Sequence, residues 1–122
     1  MKDLLIEKDT ELTSEEKKMF AYFGENAKIR PPYRILNPHR ISIGDRTSIR
    51  EGAYIHAYQD LRKNMDYIDY KYKHEFNEED YKYDSKIIIG KEVQINRFML
   101  MSCTNKIELA NNVGVGQGTF IG

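Results

Sequence analysis

Large apolar residues recur along this chain with a period of six. They form four triplets: Phe23, Ile29 and Ile35; Ile43, Ile49 and Ile55; Ile89, Ile95 and Met101; Leu109, Val115 and Ile121. Every step inside a triplet is six residues, and the step from Ile35 to Ile43 or from Met101 to Leu109 is eight. Between Ile55 and Ile89 that step of eight is enlarged by an excursion of 26 residues. A helix repeats at 3.6 and a strand at 2, so neither alone produces this spacing. A solenoid does, if each coil has three short flat sides and each side sends one bulky side chain to the axis. The pattern predicts an all-β, parallel, three-sided coil of about four turns, with residues 1–122 as one domain.

The flanking positions fit the same frame. A small residue follows the first apolar position of each coil: Phe23-Gly24, Ile43-Gly44, Ile89-Gly90 and Leu109-Ala110. A bulky Cβ there would crowd the stacked corners. Four residues after that first position come Ala27, Thr47, Val93 and Val113, small or β-branched as a second inward site near a corner requires. Residues 1–22 read as an N-terminal cap, polar and without period over 1–12. Thr13-Ser14-Glu15-Glu16 is a capping box that starts a short helix. Met19, Phe20 and Phe23 give it an apolar stripe, and Gly24 is expected to end it in a left-handed conformation. The helix is expected to cover the open top of the stack. Residues 58–86 have no hexad and are dominated by tyrosine and alternating charge, which predicts a long extruded loop. Its seven aromatics (Tyr58, Tyr67, Tyr70, Tyr72, Phe76, Tyr81 and Tyr83) read either as a solvated excursion or as an arm bordering a neighbouring subunit's cleft.

Composition narrows the function classes. The formal net charge is zero and charged residues make up 31%, so neither nucleic acid nor an anionic membrane is the expected partner. No apolar run is long enough to span a membrane, and the start, MKDLLIEKDTELT, lacks a signal-peptide core. One cysteine, Cys103, excludes an internal disulfide framework and fits a reducing, cytoplasmic setting. Four narrow coils bury little apolar surface for their length. Association through the flat faces is therefore expected, and three-sided prisms pack naturally as a homotrimer.

Three segments carry a resemblance: Asn37-Pro38-His39-Arg40-Ile41-Ser42-Ile43-Gly44-Asp45, Ile89-Gly90-Lys91-Glu92-Val93-Gln94-Ile95-Asn96, and Ile107-Glu108-Leu109-Ala110-Asn111-Asn112-Val113-Gly114-Val115-Gly116. With these the chain resembles the hexapeptide-repeat acyltransferases, which are left-handed parallel β-helices, and most of all the bacterial sugar O-acetyltransferases. The left hand comes from the resemblance alone, since general crossover rules favour the right. The resemblance implies transfer of an acetyl group from acetyl-CoA to a sugar hydroxyl, as in surface polysaccharide synthesis. It also implies a histidine general base and active sites between the subunits of a trimer. The stretch Asn112–Gly122 matches the approach to that histidine, which would fall a few residues past Gly122. The resemblance thus implies a chain truncated at its C-terminus before the catalytic coil. The alternative is a non-catalytic trimeric β-helix scaffold.

Candidate chemistry is sparse. Asn96 lies 13 residues before Leu109, where the resemblance expects an asparagine that contacts the acceptor sugar; a carboxamide both donates and accepts with hydroxyls. His56 is the one histidine in the hexad frame and the candidate base of this chain, whereas His39 reads as a turn residue and His74 as a solvated one. Cys103 has no histidine beside it in sequence and reads as a plain small side chain. No metal is expected, because a zinc lyase of the same fold needs three convergent histidines and these three do not share a coil position. An ice-binding solenoid would need ranks of Thr-x-Thr, which are missing.

Overall fold

Six-residue spacing works structurally because each side of a coil needs only two to four extended residues and each corner only a few more. In the computed structural model, which describes residues 3–59 and 82–122, the sides are short strands. The first coil holds β2 (Tyr22–Phe23), β3 (Lys28–Ile29) and β4 (Tyr33–Leu36). The second holds β5 (Ile41–Ile43), β6 (Ser48–Ile49) and β7 (Ala53–Ala57). The third holds β8 (Lys86–Ile89), β9 (Gln94–Ile95) and β10 (Leu100–Cys103), and the fourth β11 (Lys106–Leu109), β12 (Gly114–Val115) and β13 (Phe120–Ile121). Among the described residues strands dominate and helix is very scarce, so the fold is all-β. The chain visits three sheets in rotation. The first is β4-β7-β10-β13 with an extra strand at its edge, the second β2-β5-β8-β11, and the third β3-β6-β9-β12.

All twelve predicted inward residues stack in register. Phe23 lies opposite Ile43, Ile43 opposite Ile89, and Ile89 opposite Leu109. Ile29, Ile49, Ile95 and Val115 form the second column; Ile35, Ile55, Met101 and Ile121 form the third. Ile35, Ile43, Ile49, Ile55 and Met101 are fully buried, while Leu109, Val115 and Ile121 of the fourth coil are half-buried. At the second inward site, Ala27, Thr47 and Val93 are buried. Thr47 carries the one hydroxyl of that group, and it is fully used. Its Oγ1 donates to the Gly90 carbonyl at 2.6 Å and accepts from the Val93 N–H at 3.2 Å.

Corner geometry explains the small residues. Asn26, Arg46, Glu92 and Asn112 occupy one corner in successive coils, all left-handed with φ of 57–65°. Two positions before each comes Gly24, Gly44, Gly90 or Ala110. A Cβ on Gly44 would lie 2.3 Å from the Gly90 carbonyl carbon of the next coil, so backbones touch there directly. Gly24 belongs to this set, with Asp45 backbone 2.4 Å from where its Cβ would sit. It does not terminate the helix, contrary to the expectation from sequence.

The N-terminal cap also differs from its sequence reading. The capping box forms: Thr13 Oγ1 accepts from Glu16 N at 3.1 Å, and Glu16 Oε1 accepts from Thr13 N at 2.9 Å. Yet α1 spans only Ser14–Lys18, ends at Met19 and buries none of its residues. The top of the core is covered by the residues flanking it, Leu12 and Phe20; the Phe20 ring meets Phe23 edge-on at 5.1 Å. Residues 1–12 contain a strand, β1 (Leu5–Lys8), which pairs antiparallel with β4 and occupies the otherwise bare edge of the first sheet. Only Ile6 of β1 is buried, so the segment leaves no periodic mark in the sequence.

The excursion leaves from β7 and returns to β8. Its two ends are tied together: Tyr83 N donates to Gln59 O at 2.8 Å, and Ser85 Oγ donates to Tyr58 O at 2.6 Å. The remainder of the expected loop, with Tyr67, Tyr70, Tyr72, His74, Phe76 and Tyr81, lies outside the described residues.

Candidate functional site

Strand alternation decides which side chains a coil offers to ligands. In β7, Ala53, Ile55 and Ala57 point to the core, so Tyr54 and His56 point out. His56 is nevertheless only 7% exposed. The Tyr54 ring stacks on it at 5.7 Å, and the Tyr58 ring meets it edge-on at 5.9 Å. Its Nε2 lies 3.0 Å from Arg34 Nη1 and its Nδ1 lies 3.3 Å from the Tyr58 hydroxyl. Arg34 in turn reaches Glu7 of β1 at 3.1 Å. A guanidinium can only donate, so Nε2 must accept and the ring proton sits on Nδ1, facing Tyr58. Burial first, and the neighbouring Arg34 charge second, push the His56 pKa down to about 4. The imidazole is thus neutral near pH 7, but its one lone pair is held by Arg34. In this arrangement it is a link in a Glu7–Arg34–His56–Tyr58 chain, with no free nitrogen to take a proton from a substrate.

Asn96 stands at the corner that follows β9, exposed. Its Oδ1 accepts from the Arg97 N–H at 2.8 Å, which leaves the amide N–H groups as its donors. The same corner position in the coils above holds Arg30 and Arg50. The stacking is fixed by backbone bonds from Arg30 N to Ile49 O at 2.8 Å, from Arg50 N to Ile95 O at 3.0 Å and from Asn96 N to Val115 O at 3.0 Å. Outward from the third sheet point Lys28, Ser48, Gln94 and Gly114, in mutual register. Arg50, Gln94, Asn96 and Gly114 line an open groove of about 400 Å³. Beside it sits Glu51, whose carboxylate is held below its ordinary pKa chiefly by the hydrogen bond from Arg97. Arg97 Nε donates to it at 2.7 Å, whereas Arg30 and Arg50 approach only to 3.9 and 4.0 Å.

The remaining candidates lie outside both of these places. Cys103 is buried, its Sγ 3.4 Å from the Lys86 carbonyl. His39 lies in a 3-10 turn, Pro38–Arg40, with Nε2 3.2 Å from Gln59 Oε1. Among the described residues, no three His, Cys, Asp or Glu side chains converge to hold a metal, and no helix is long and apolar enough to cross a membrane. The fold therefore places His56 and Asn96 on different faces, His56 outside the first sheet and Asn96 at the corner of the third. Sequence reasoning did not single out Arg34, Arg50 or Arg97. Arg30 and Arg50 do share one place in the hexad frame, directly after Ile29 and Ile49, and that alignment was the available signal. No known protein family, curated protein or solved structure matches the chain.

Proposed function

We propose that this chain is the coil stack of a cytoplasmic, hexapeptide-repeat sugar O-acetyltransferase, wound as a left-handed β-helix and assembled as a homotrimer. The observation that carries the reading is the unbroken register of twelve inward residues, six apart, through three parallel sheets. The reaction it implies is balanced simply. The acceptor oxygen attacks the thioester carbonyl of acetyl-CoA while a base takes the hydroxyl proton, the C–S bond breaks, and the base returns that proton to the departing sulfur, so CoA leaves as a thiol. On this reading the described residues supply the acceptor side, with Asn96 and Gln94 as hydroxyl-binding amides. The donor rests on the resemblance alone. The cleft on the first face, between Tyr33, Gly52, Tyr54, Phe98 and Leu100, is mainly apolar, and its lysine, Lys8, is already bound to Glu16. It offers no pair of cations to a diphosphate.

Support for association comes from the outer face of the first sheet. Tyr54, Leu100 and Phe120 form an exposed column in register, with Phe98 beside it. The decisive assay is binding rather than turnover, because the lone pair of His56 is occupied: thermal stabilisation of the chain by millimolar CoA and by a panel of sugars. Stabilisation by CoA and by a sugar, with the sugar affinity reduced at least tenfold in Asn96→Ala, supports the proposal. No stabilisation by CoA or by any sugar removes it.

One observation favours the second reading, a non-catalytic trimeric scaffold: the lone pair of His56 is occupied by Arg34. That reading predicts a stable trimer that neither CoA nor any sugar stabilises.

A further inference from the structure

The third face differs from the first in kind. Its outward and corner positions are Lys28, Arg30, Ser48, Arg50, Gln94, Asn96 and Gly114, with no large apolar side chain. At its edge the guanidinium groups of Arg30, Arg50 and Arg97 gather around one carboxylate, Glu51. Of the three arginines, Arg97 is the one hydrogen-bonded to the Glu51 carboxylate. At 3.9 and 4.0 Å the other two arginines lie beyond hydrogen-bond reach of it, so their planar sets of donors are not consumed there. Lys28 adds a fourth cation, and Glu11, which lines the neighbouring groove with Lys28, Arg30 and Glu51, a second carboxylate. The chain as a whole is neutral, yet this edge carries a cationic excess.

The groove next to that edge has a shape that uses the excess. Arg50, the carboxamides of Gln94 and Asn96, and Ile95, Gly114 and Val115 line it, with no carboxylate among the described residues. Gly114 opens the floor: a Cβ placed there would meet nothing within 4 Å, so a ligand can lie against the backbone of β12. Amides read hydroxyls, and a guanidinium fork reads a phosphate or carboxylate with two parallel bonds. We propose that this groove binds an anionic sugar, with Arg50 gripping its phosphate or carboxylate and Gln94 and Asn96 holding ring hydroxyls. This deepens the acceptor reading of Asn96 and rests on it for the sugar half only. The anionic half stands on the arginines.

Calorimetric titration of the full chain at low salt, with glucose 6-phosphate, glucuronate, glucose and inorganic phosphate as separate ligands, tests both halves. Expected is binding of at least one anionic sugar ten-fold or more tighter than glucose and than phosphate, weakening as salt rises. Preference for glucose 6-phosphate over glucuronate identifies phosphate as the recognised group, and the reverse identifies carboxylate. Arg50→Gln should abolish the preference over glucose, and Arg50→Lys should restore part of it. Arg46→Gln, at the opposite corner and paired with Glu92, should leave it unchanged. Glucose binding as tightly as the anionic sugars overturns the anionic half and leaves the acceptor reading standing. Inorganic phosphate matching glucose 6-phosphate, with Asn96→Ala without effect, overturns the sugar half and the acceptor reading together. No binding by any of the four overturns both.

Discussion

His56 and Thr47 show how single residues tie the coils together by polar contacts that must be complete. His56 is held neutral, with its pKa lowered from 6.5 to about 4 by burial and by Arg34. A depressed pKa means the unfolded chain takes up the proton first as pH falls. The stability His56 contributes is therefore intact above about pH 6.5 and is lost between there and pH 4, by on the order of 2 kcal/mol. Thermal melts from pH 7.5 to 4 should show that fall, and His56→Gln, which cannot titrate, should flatten this part of the profile. An unchanged profile in the variant removes the assignment. Thr47 makes a sharper case. Its hydroxyl satisfies a carbonyl and an N–H in the next coil, so Thr47→Val strands the buried Val93 N–H and the half-buried Gly90 carbonyl while keeping the shape. The expected loss is about 1–3 kcal/mol, read from the midpoint of urea unfolding. Such contacts explain what the sequence could and could not reveal. Ile43 or Ile95 is legible because an inward site accepts only bulk, and bulk repeats. The partners of His56 are not, because Arg34 lies across a coil boundary and Glu7 on a strand that the periodicity never marked.

Elements here are so short that corners, not strands, decide whether a coil can stack. Gly44 and Gly114 make the comparison. A methyl group on Gly44 would collide with backbone of the next coil at 2.3 Å, which no side-chain adjustment relieves; on Gly114 it would enter open space. Gly44→Ala should therefore cost more than about 3 kcal/mol or prevent folding. Gly114→Ala should be neutral, or stabilising by about 0.4–1 kcal/mol through the unfolded chain. Equal effects of the two in denaturant melts would contradict the corner account. The N-terminal elements leave a weaker mark in the sequence for the same reason. Thr13 and Glu16 announce a helix start, and the start is correct. Its end comes at Met19 and not at Gly24, which resembles a helix terminator while serving as the first of the corner glycines. β1 is held by backbone pairing to β4, and backbone pairing leaves little trace in side-chain pattern.

At the scale of the whole molecule the two described outer faces divide the work that the proposed function needs. The third face is polar and cationic, suited to a soluble ligand. The first carries Tyr54, Leu100 and Phe120 in one exposed column, with Phe98 61% and Phe120 64% exposed. Phe98 also holds a left-handed φ of 60°, at the place where the second and fourth coils use Gly52 and Gly118. A bulky residue pays about 1–3 kcal/mol for that conformation. Its ring lies over Gly52, where a Cβ would come within 2.4 Å of it, so the strain goes with a ring spread across the face. That arrangement widens an apolar surface that another subunit can cover. Sedimentation equilibrium should accordingly report three times the chain mass of 14.4 kDa. Replacing Leu100 and Phe120 together by Lys, both outward and clear of the core columns, should shift the mass to that of a single chain while the far-ultraviolet spectrum stays β-rich. A trimer that survives the double change would mean that another face holds the subunits together. A wild-type chain already monomeric at micromolar concentration would remove the trimer, and with it the intersubunit site that the resemblance implies.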